Sequence, residues 1–123
     1  MHIELYTIEI VTMADIPSEG SGLGSSSTLT VGLLNALYTY KGIMISPEEL
    51  AQKACEIEIN ILGKPIGKQD QYIAAYGGVT NFIFNKDEEV KTISIDIEQN
   101  KLKELSTRLM LFHTGVSRVL NFI

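Results

Sequence analysis

The sequence predicts an α+β fold in which helices pack on a mixed sheet. Three observations support this class: helical spacing of apolar residues with capping signals between residues 26 and 76, partial alternation at the start of the chain, and two alternating segments joined by a polar turn at 85–88. Because strands and helices both occur, and the two segments joined by this turn are expected to pair antiparallel, the fold belongs to the mixed class.

The first part of the chain is predicted to contain strands, a loop and a helix. Residues 2–13 mix β-branched, aromatic and polar side chains, which indicates one or two strands with one solvent-facing side. Residues 15–24 contain Pro17 and three glycines, so this segment is predicted to be a loop. A largely buried helix is expected from about Ser26 to Tyr40, with Gly42 as its C-cap.

A second helix is predicted by its start signal. Ser46 is a suitable N-cap, Pro47 occupies the first helical position, and Glu49 at the third position completes a capping box. The helix is expected to extend to about Leu62. Its apolar positions fall on one stripe, formed by Leu50, Ala54, Ile57 and Ile61.

The rest of the chain changes from helical to alternating periodicity. In chain order, the predicted elements are a turn at 63–67, a helix at 69–76, strands at 79–84 and 90–97, a helix at 98–107 and a strand at 109–113. The polar segment 85–88 joins the two longer strands, which predicts a hairpin. Leu102 and Leu105 are expected to be the inward-facing residues of the last helix.

Length, charge and cysteine content limit the class of protein. The chain has 123 residues and is expected to form one domain. Its net charge is −5 with the charges interspersed, which argues against nucleic-acid binding. No apolar run is long enough to cross a membrane, and Glu4 and Glu9 stand where a signal peptide would carry positive charge. The single cysteine, Cys55, is expected to be a buried, inert thiol, which suits the cytoplasm.

A glycine- and serine-rich loop precedes the first predicted helix. Glycines allow several backbone amides to approach one oxyanion, and the N-terminus of the following helix directs its dipole to the same point. Serine hydroxyls can cap the helix, bind phosphate or ligate a hard cation. The predicted phosphate-binding residues are Gly20, Gly22, Leu23, Gly24, Ser25, Ser26 and Ser27.

The alternative interpretation of this segment is a flexible linker, which is the usual role of Gly/Ser clusters. Leu23 within the cluster, and the apolar residues that start at Leu29 without a polar spacer, favour phosphate binding. The loop matches neither of the two common nucleotide-binding patterns. Gly63-Lys64-Pro65 departs from the Gly-Lys-Ser/Thr of a Walker A motif, and Ser27 stands where the dinucleotide fingerprint has its third glycine.

A second candidate constellation contains two acids. Glu58 lies near the end of the second predicted helix, and Asp70 follows a Gly-Pro-Gly turn. Such a turn could bring the carboxylates together, so that one holds Mg²⁺ and the other accepts a hydroxyl proton. The alternative is that both are solvated surface groups beside a simple helix connection.

Together, the two segments resemble the GHMP superfamily of small-molecule kinases. Residues 17–27 resemble the phosphate-binding motif of that family, and residues 58–71 resemble the segment that carries its metal-ligand glutamate and catalytic aspartate. With the segments at 75–78 and 112–118, the pattern is most similar to the D-glycero-D-manno-heptose 7-phosphate kinase branch. The resemblance implies an α+β domain of the ribosomal protein S5 domain 2 type that uses ATP and Mg²⁺ to phosphorylate a sugar phosphate.

The resemblance also implies a role for each matched residue. Backbone amides from Gly22 to Ser27 would hold the phosphates of ATP. Ser26 and Glu58 would ligate Mg²⁺, and Asp70 would accept the proton of the sugar hydroxyl. Lys68 is a candidate cation beside Asp70, with an exposed lysine on a turn as the alternative.

The resemblance runs from about residue 8 to residue 118 and covers the middle of the family's domain pair. Residues 1–123 are therefore predicted to be a single partial kinase domain, without the family motifs that precede and follow this part. Two functions remain open: the central part of a sugar-phosphate kinase, or a non-catalytic remnant that persists as a nucleotide-binding or self-associating module. A partial domain is also expected to cover its exposed apolar surface by forming a homo-oligomer.

Overall fold

A computed structural model describes residues 8–13, 15 and 22–112. Helices and a small antiparallel sheet both occur, which confirms the predicted α+β class. The elements are α1 (Ser25–Tyr40), α2 (Pro47–Cys55), a π-helix (Glu56–Ile61), α3 (Gln69–Tyr76), β1 (Thr80–Phe84), β2 (Val90–Ser94) and α4 (Gln99–Thr107). Among the described residues, none of the helices combines the length and the apolar character needed to span a bilayer.

The predicted helix signals are confirmed. The hydroxyl of Ser46 accepts a hydrogen bond from the amide of Glu49 at 3.2 Å, and the Glu49 carboxylate accepts one from the amide of Ser46 at 3.1 Å. This reciprocal capping box, together with Pro47 in the first turn, fixes the start of α2. Helix α3 has the predicted bounds. Lys41 is the C-cap of α1, and Gly42 directly follows it. The prediction that this helix is largely buried is wrong, because only Ser27 and Val31 of α1 are buried.

Helices α1, α2 and α3 pack against one another around two groups of buried residues. The first group joins α1 to α2 and consists of Val31, Leu50 and Ala54. The second joins α2 to α3 and consists of Ala51, Cys55 and Tyr72. Cys55 is buried, as predicted, and its burial raises the pKa of the thiol to about 11.

Glu48 and a group of aromatic rings hold α3 in place. The Glu48 carboxylate accepts hydrogen bonds from the hydroxyls of Tyr72 at 2.9 Å and Tyr76 at 2.8 Å, which ties α2 to α3. The same two tyrosines contact Phe82 of β1 edge to face, with ring centroids 5.9 and 5.8 Å apart. Helix α3 is therefore fixed on two sides, and it carries the acid that the sequence identifies as catalytic.

Strands β1 and β2 form the predicted hairpin in a slightly shorter version. Thr80 lies opposite Ser94, and Phe84 lies opposite Val90. The pairing continues for one hydrogen bond beyond the strands, from the amide of Ile95 to the carbonyl of Val79 at 2.9 Å.

Predictions for the flanking segments are wrong where the structure describes them. Residues 8–13 and 109–112 form no regular structure and are exposed. Neither segment pairs with the sheet, which in the described ranges consists of β1 and β2 alone. Residues 2–7 and His113, which complete these predicted strands, lie outside the described residues. Leu105 is 43% exposed instead of inward-facing, and α4 contains no buried residue.

The predicted apolar stripe of the second helix breaks at its C-terminal end. Leu50 and Ala54 are buried as expected, but Ile61 is 69% exposed while Glu58 is completely buried. Residues Glu56–Ile61 form a π-helix, whose i→i+5 hydrogen bonds change the number of residues per turn. The 3.6-residue period therefore does not continue to Ile61.

Candidate active site

The N-terminus of α1 carries the glycine-rich loop. Helix α1 begins at Ser25, one residue earlier than predicted, with Gly24 as its N-cap. Gly24 has no side chain to cap this end, and the first turn of the helix contains no acidic residue. The positive end of the helix dipole therefore has no compensating acid in that turn. Pro17 and Gly20, which the sequence assigns to the same loop, lie outside the described residues.

Asp70 lies directly against this loop. A Cβ atom placed on Gly24 would lie 3.1 Å from Cγ of Asp70 and 3.2 Å from its Oδ2. Gly24 also has a φ of 66°, so both the left-handed backbone conformation and the close approach of Asp70 favour glycine at this position. Because Asp70 belongs to the first turn of α3, the N-terminal ends of α1 and α3 meet at this contact.

Glu58 contacts the first turn of the same helix through Ser26. Its carboxylate is fully buried, and Oε1 accepts hydrogen bonds from Ser26 Oγ at 2.7 Å and from Lys64 Nζ at 2.9 Å. Oε2 accepts one from Gln71 Nε2 at 2.7 Å. Lys64 Nζ also donates to Ser26 Oγ at 2.6 Å, so the ammonium, the hydroxyl and the carboxylate are in mutual contact.

Hydrogen bonding keeps the Glu58 carboxylate ionised despite its burial. Burial raises the pKa of Glu58, but hydrogen bonds from Lys64, Ser27, Ser26 and Gln71 together bring the pKa below its usual value. A buried, ionised carboxylate is stable only when a positive charge and hydrogen-bond donors accompany it. Glu58 therefore requires a cation.

The local backbone places Lys64 beside Glu58. The amide of Lys64 donates to the carbonyl of Glu58 at 3.0 Å, which closes the end of the π-helix. Gly63, with a φ of 64°, provides the left-handed conformation that this turn requires. Lys64 is not among the site residues predicted from the sequence. The sequence feature that could have indicated it is its position between Gly63 and Pro65, in the segment that separates the two candidate acids.

The second lysine of the loop has a different partner. The ammonium of Lys68 pairs with Glu88 in the turn of the hairpin. The hypothesis that Lys68 is the cation beside Asp70 is therefore not supported, because its charge is compensated by another carboxylate.

Gln71 is a further site residue that the sequence analysis missed. It is fully buried and donates to Glu58, and within the described part of the chain its Oε1 is a buried oxygen without a hydrogen-bond partner. A buried polar side chain adjacent to Asp70 holds the Glu58 carboxylate from the side opposite Ser26. Periodicity could not reveal this, because helix α3 has no strongly amphipathic pattern.

The oxygens of Ser26 and Glu58 suit a hard divalent cation. Mg²⁺ is usually held by one or two carboxylates together with water and substrate phosphates. An ammonium, that of Lys64, already lies within hydrogen-bond distance of the same two oxygens. These residues therefore fit a cation. No cluster of three or more His, Cys, Asp or Glu side chains that could hold a metal occurs in the described ranges, so ligands from a phosphate group would be needed as well.

Comparison with known proteins identifies relatives of this chain. Residues 2–78 match the model described as GHMP kinases N terminal domain. The chain is 38% identical over 107 residues to the D-glycero-alpha-D-manno-heptose 7-phosphate kinase of Campylobacter jejuni, covering 87% of this chain and 31% of that protein. It is 32% identical over 106 residues to the galactokinase of Pyrococcus furiosus, covering 86% of this chain and 28% of that protein.

A solved structure has the same fold. The crystal structure of a D-glycero-D-manno-heptose 1-phosphate kinase from Bacteroides thetaiotaomicron matches with a TM-score of 0.69 and 36% sequence identity, over 74% of this chain and 29% of that chain. The chain thus spans about 30% of the length of these relatives. The matched residues 2–78 include the glycine-rich loop, Glu58 and Asp70. This match covers more than half of the sequence, and the chain belongs to the GHMP kinase family.

Proposed function

We propose that this chain carries the phosphate-binding and metal-binding part of an ATP-dependent sugar-phosphate kinase. The observation that carries the proposal is the meeting of Ser26, Glu58 and Asp70 around the N-terminus of α1. These residues are far apart in sequence and come from three different elements. The names of two relatives support a heptose phosphate as the acceptor.

Backbone amides at the start of α1 are proposed to bind the phosphates of ATP. The backbone amides of the first helical turn have no carbonyl partner within the helix, and the helix dipole adds positive potential there. An added Cβ at Gly22 would have no heavy atom within 4 Å, so this part of the loop leaves room for a phosphate to approach the backbone. The Ser26 hydroxyl lies in the same turn.

Ser26 Oγ and Glu58 Oε1 are the proposed protein ligands of Mg²⁺. When bound, Mg²⁺ offsets the negative charge of the phosphate oxygens during phosphoryl transfer. Gln71 holds Oε2 of Glu58 at 2.7 Å, which orients Oε1 toward Ser26. Ser26 and Glu58 therefore form a prearranged pair of oxygen ligands.

Asp70 is the proposed proton acceptor. Its carboxylate contacts Gly24 at the start of α1, which places it at the edge of the proposed phosphate site. Asp70 would orient the sugar hydroxyl and accept its proton as the hydroxyl oxygen bonds to the γ-phosphorus of ATP, while the bond from that phosphorus to the bridging oxygen breaks and ADP leaves. General base catalysis of this kind contributes about 10²- to 10⁴-fold to the rate.

Nucleotide binding and turnover are expected to differ in this chain. Phosphate binding depends on residues close to one helix end, whereas turnover also requires the acceptor to be positioned. The chain spans about 30% of the length of its relatives. A misplacement of about 1 Å can reduce the rate about 10²-fold, so we expect measurable affinity for ADP and ATP but weak or no turnover.

Calorimetric titration with ADP and ATP, with and without Mg²⁺, tests binding, and a coupled ADP-release assay with heptose 7-phosphate tests transfer. Asp70→Asn should retain nucleotide binding and abolish any turnover, while Asp96→Asn, which changes an exposed aspartate outside the site, should alter neither. Lack of nucleotide binding in a folded chain would contradict the proposal. Robust turnover that disappears in Asp70→Asn would contradict the expectation of weak or no turnover.

Three further features belong to the proposal. A cytoplasmic location suits ATP-dependent chemistry and a reduced Cys55. A homo-oligomer is supported by large exposed apolar side chains such as Leu29, which is 52% exposed, and light scattering that finds only monomers at high concentration would contradict it. A small sugar phosphate is the proposed partner, with neither nucleic acid nor a membrane involved.

A further inference from the structure

Lys64 is a residue of the site whose role the proposed function leaves unexplained. Its ammonium contacts Ser26 Oγ and Glu58 Oε1, the two atoms proposed to ligate Mg²⁺, at 2.6 and 2.9 Å. Glu58 itself is fully buried, whereas 37% of the Lys64 side chain is exposed. The positive charge therefore reaches the buried carboxylate from the solvent side.

We propose that Lys64 acts as an internal cation that occupies the metal position while the site is metal-free, and that it must leave before a divalent cation binds. This inference rests on the proposed function, because it takes Ser26 and Glu58 as the metal ligands. A lysine ammonium is a compact charge on a flexible stem, so Lys64 can fill the position and then turn outward to water.

Two cations cannot share this position. Mg²⁺ would approach its oxygen ligands to about 2.0–2.1 Å, so a metal that bound both oxygens from the side where the ammonium lies would almost coincide with the ammonium. The lysine cannot move far with its backbone, because its amide is bonded to the Glu58 carbonyl at 3.0 Å and Pro65 follows. The side chain alone must move, and each metal-binding event must replace two hydrogen bonds of the ammonium.

The consequence is competition between Lys64 and the metal. In the metal-free protein, the ammonium stabilises the buried carboxylate. In the metal-bound protein, that stabilisation comes from the divalent cation, and Lys64 is solvated. Lys64 therefore lowers the apparent affinity for the metal. It also stabilises the folded chain when no metal is bound.

Removing the ammonium should raise metal affinity and lower metal-free stability. With ADP at a concentration that saturates the 123-residue chain, we expect Lys64→Met to bind Mn²⁺ at least about tenfold more tightly than the wild type. Binding is measured by the electron paramagnetic resonance signal of free Mn²⁺, after subtraction of the Mn²⁺ that ADP alone binds. The melting temperature of this variant in EDTA should fall, and Mn²⁺ should raise that temperature more than it does for the wild type. Lys64→Gln, which keeps a hydrogen-bond donor without the charge, gives the same test if the methionine variant does not fold.

The matched control is Lys68→Met. It removes the same charge from the same loop, but Lys68 pairs with Glu88 and does not contact Ser26 or Glu58. Its Mn²⁺ affinity should remain within about twofold of the wild type, a difference of about 0.4 kcal/mol. An equal rise in Mn²⁺ affinity in both lysine variants would show that the effect comes from net charge alone, and it would overturn the inference.

Glu58→Gln separates the failure of this inference from that of the proposed function. Equal Mn²⁺ affinity in wild type and Lys64→Met, with loss of binding in Glu58→Gln, would overturn the role of Lys64 while leaving the metal site in place. Binding that survives in Glu58→Gln, or no binding in any variant, would overturn both.

Discussion

Two lysine–glutamate pairs involve the two lysines of one short loop, and they differ in burial and in the number of hydrogen-bond partners. Lys64 pairs with Glu58, whose side chain is 0% exposed, and Lys68 pairs with Glu88, whose side chain is 78% exposed. The first pair includes Ser26 and is backed by Gln71, while the second bridges the loop to a hairpin turn. The difference teaches that burial and the number of hydrogen-bond donors, more than charge, distinguish a candidate site from a surface contact.

The largest expected difference between the pairs is the effect of removing the carboxylate. Glu58→Ala should lower the free energy of unfolding by about 3 kcal/mol, because it leaves the buried amide of Gln71 without its acceptor and creates a cavity. Glu88→Ala should change it by at most about 0.5 kcal/mol, as is usual for an exposed pair. Urea denaturation measures both values. Equal losses in the two variants would contradict the assigned difference in burial.

The next effect is the coupling energy within each pair. A double-mutant cycle with Lys64→Met and Glu58→Gln should give about 2 kcal/mol, since both groups belong to one hydrogen-bond network. The corresponding cycle with Lys68→Met and Glu88→Gln should give at most about 0.5 kcal/mol, because solvent screens that interaction. A larger coupling in the exposed pair would reverse the comparison.

A smaller effect concerns the backbone of the exposed pair. Glu88 has a φ of 71°, which only glycine adopts without strain. Glu88→Gly should therefore stabilise the chain by about 0.5 kcal/mol, even though it removes the ion pair with Lys68. A clear destabilisation in urea would indicate that this ion pair contributes more than its exposure suggests.

The smallest effect at neutral pH concerns Cys55. Burial raises the pKa of its thiol from 9.0 to about 11, with Lys68 acting in the opposite direction and Glu58 adding to the increase. Well below pH 9 the thiol is almost fully protonated in both the folded and the unfolded chain, so stability is unaffected. As the pH rises from 9 toward 11, only the unfolded chain loses the proton, and stability should decrease.

Thiol modification provides the measurement for Cys55. At pH 8, a thiol reagent should react about 10²-fold more slowly with the folded chain than with the chain in urea, since the reactive form is the thiolate. Lys68→Met should slow the reaction further by raising the pKa. Fast modification of the folded wild-type chain at pH 8 would contradict the burial of Cys55.

Sequence patterns predicted the helices and the hairpin well because their determinants are local. The capping box at Ser46 and the bounds of α3 follow from residues within a few positions of each other. The segments at 8–13 and 109–112 could not be predicted in the same way, because a strand needs partners that local alternation does not specify.

The sequence allowed the two acids of the candidate site to be predicted, but not the residues that hydrogen-bond to them. The motif resemblance identified Ser26, Glu58 and Asp70, and their roles as metal ligands and proton acceptor stay predictions. The contacts of Lys64 and Gln71 depend on the π-helix at Glu56–Ile61 and on its closure by the Lys64 amide. Neither feature produces a periodic pattern of residues in the sequence, so both could be recognised only in the three-dimensional structure.

The most direct test of the central claim is the effect of Mg²⁺ on ADP affinity in the wild type and in Glu58→Gln, measured by titration calorimetry. If Ser26 and Glu58 hold the metal beside the phosphates, Mg²⁺ should strengthen ADP binding at least about tenfold in the wild type, or about 1.4 kcal/mol, and hardly at all in Glu58→Gln. An Mg²⁺ effect of the same size in a folded Glu58→Gln variant would contradict the assignment of Glu58 to the metal site.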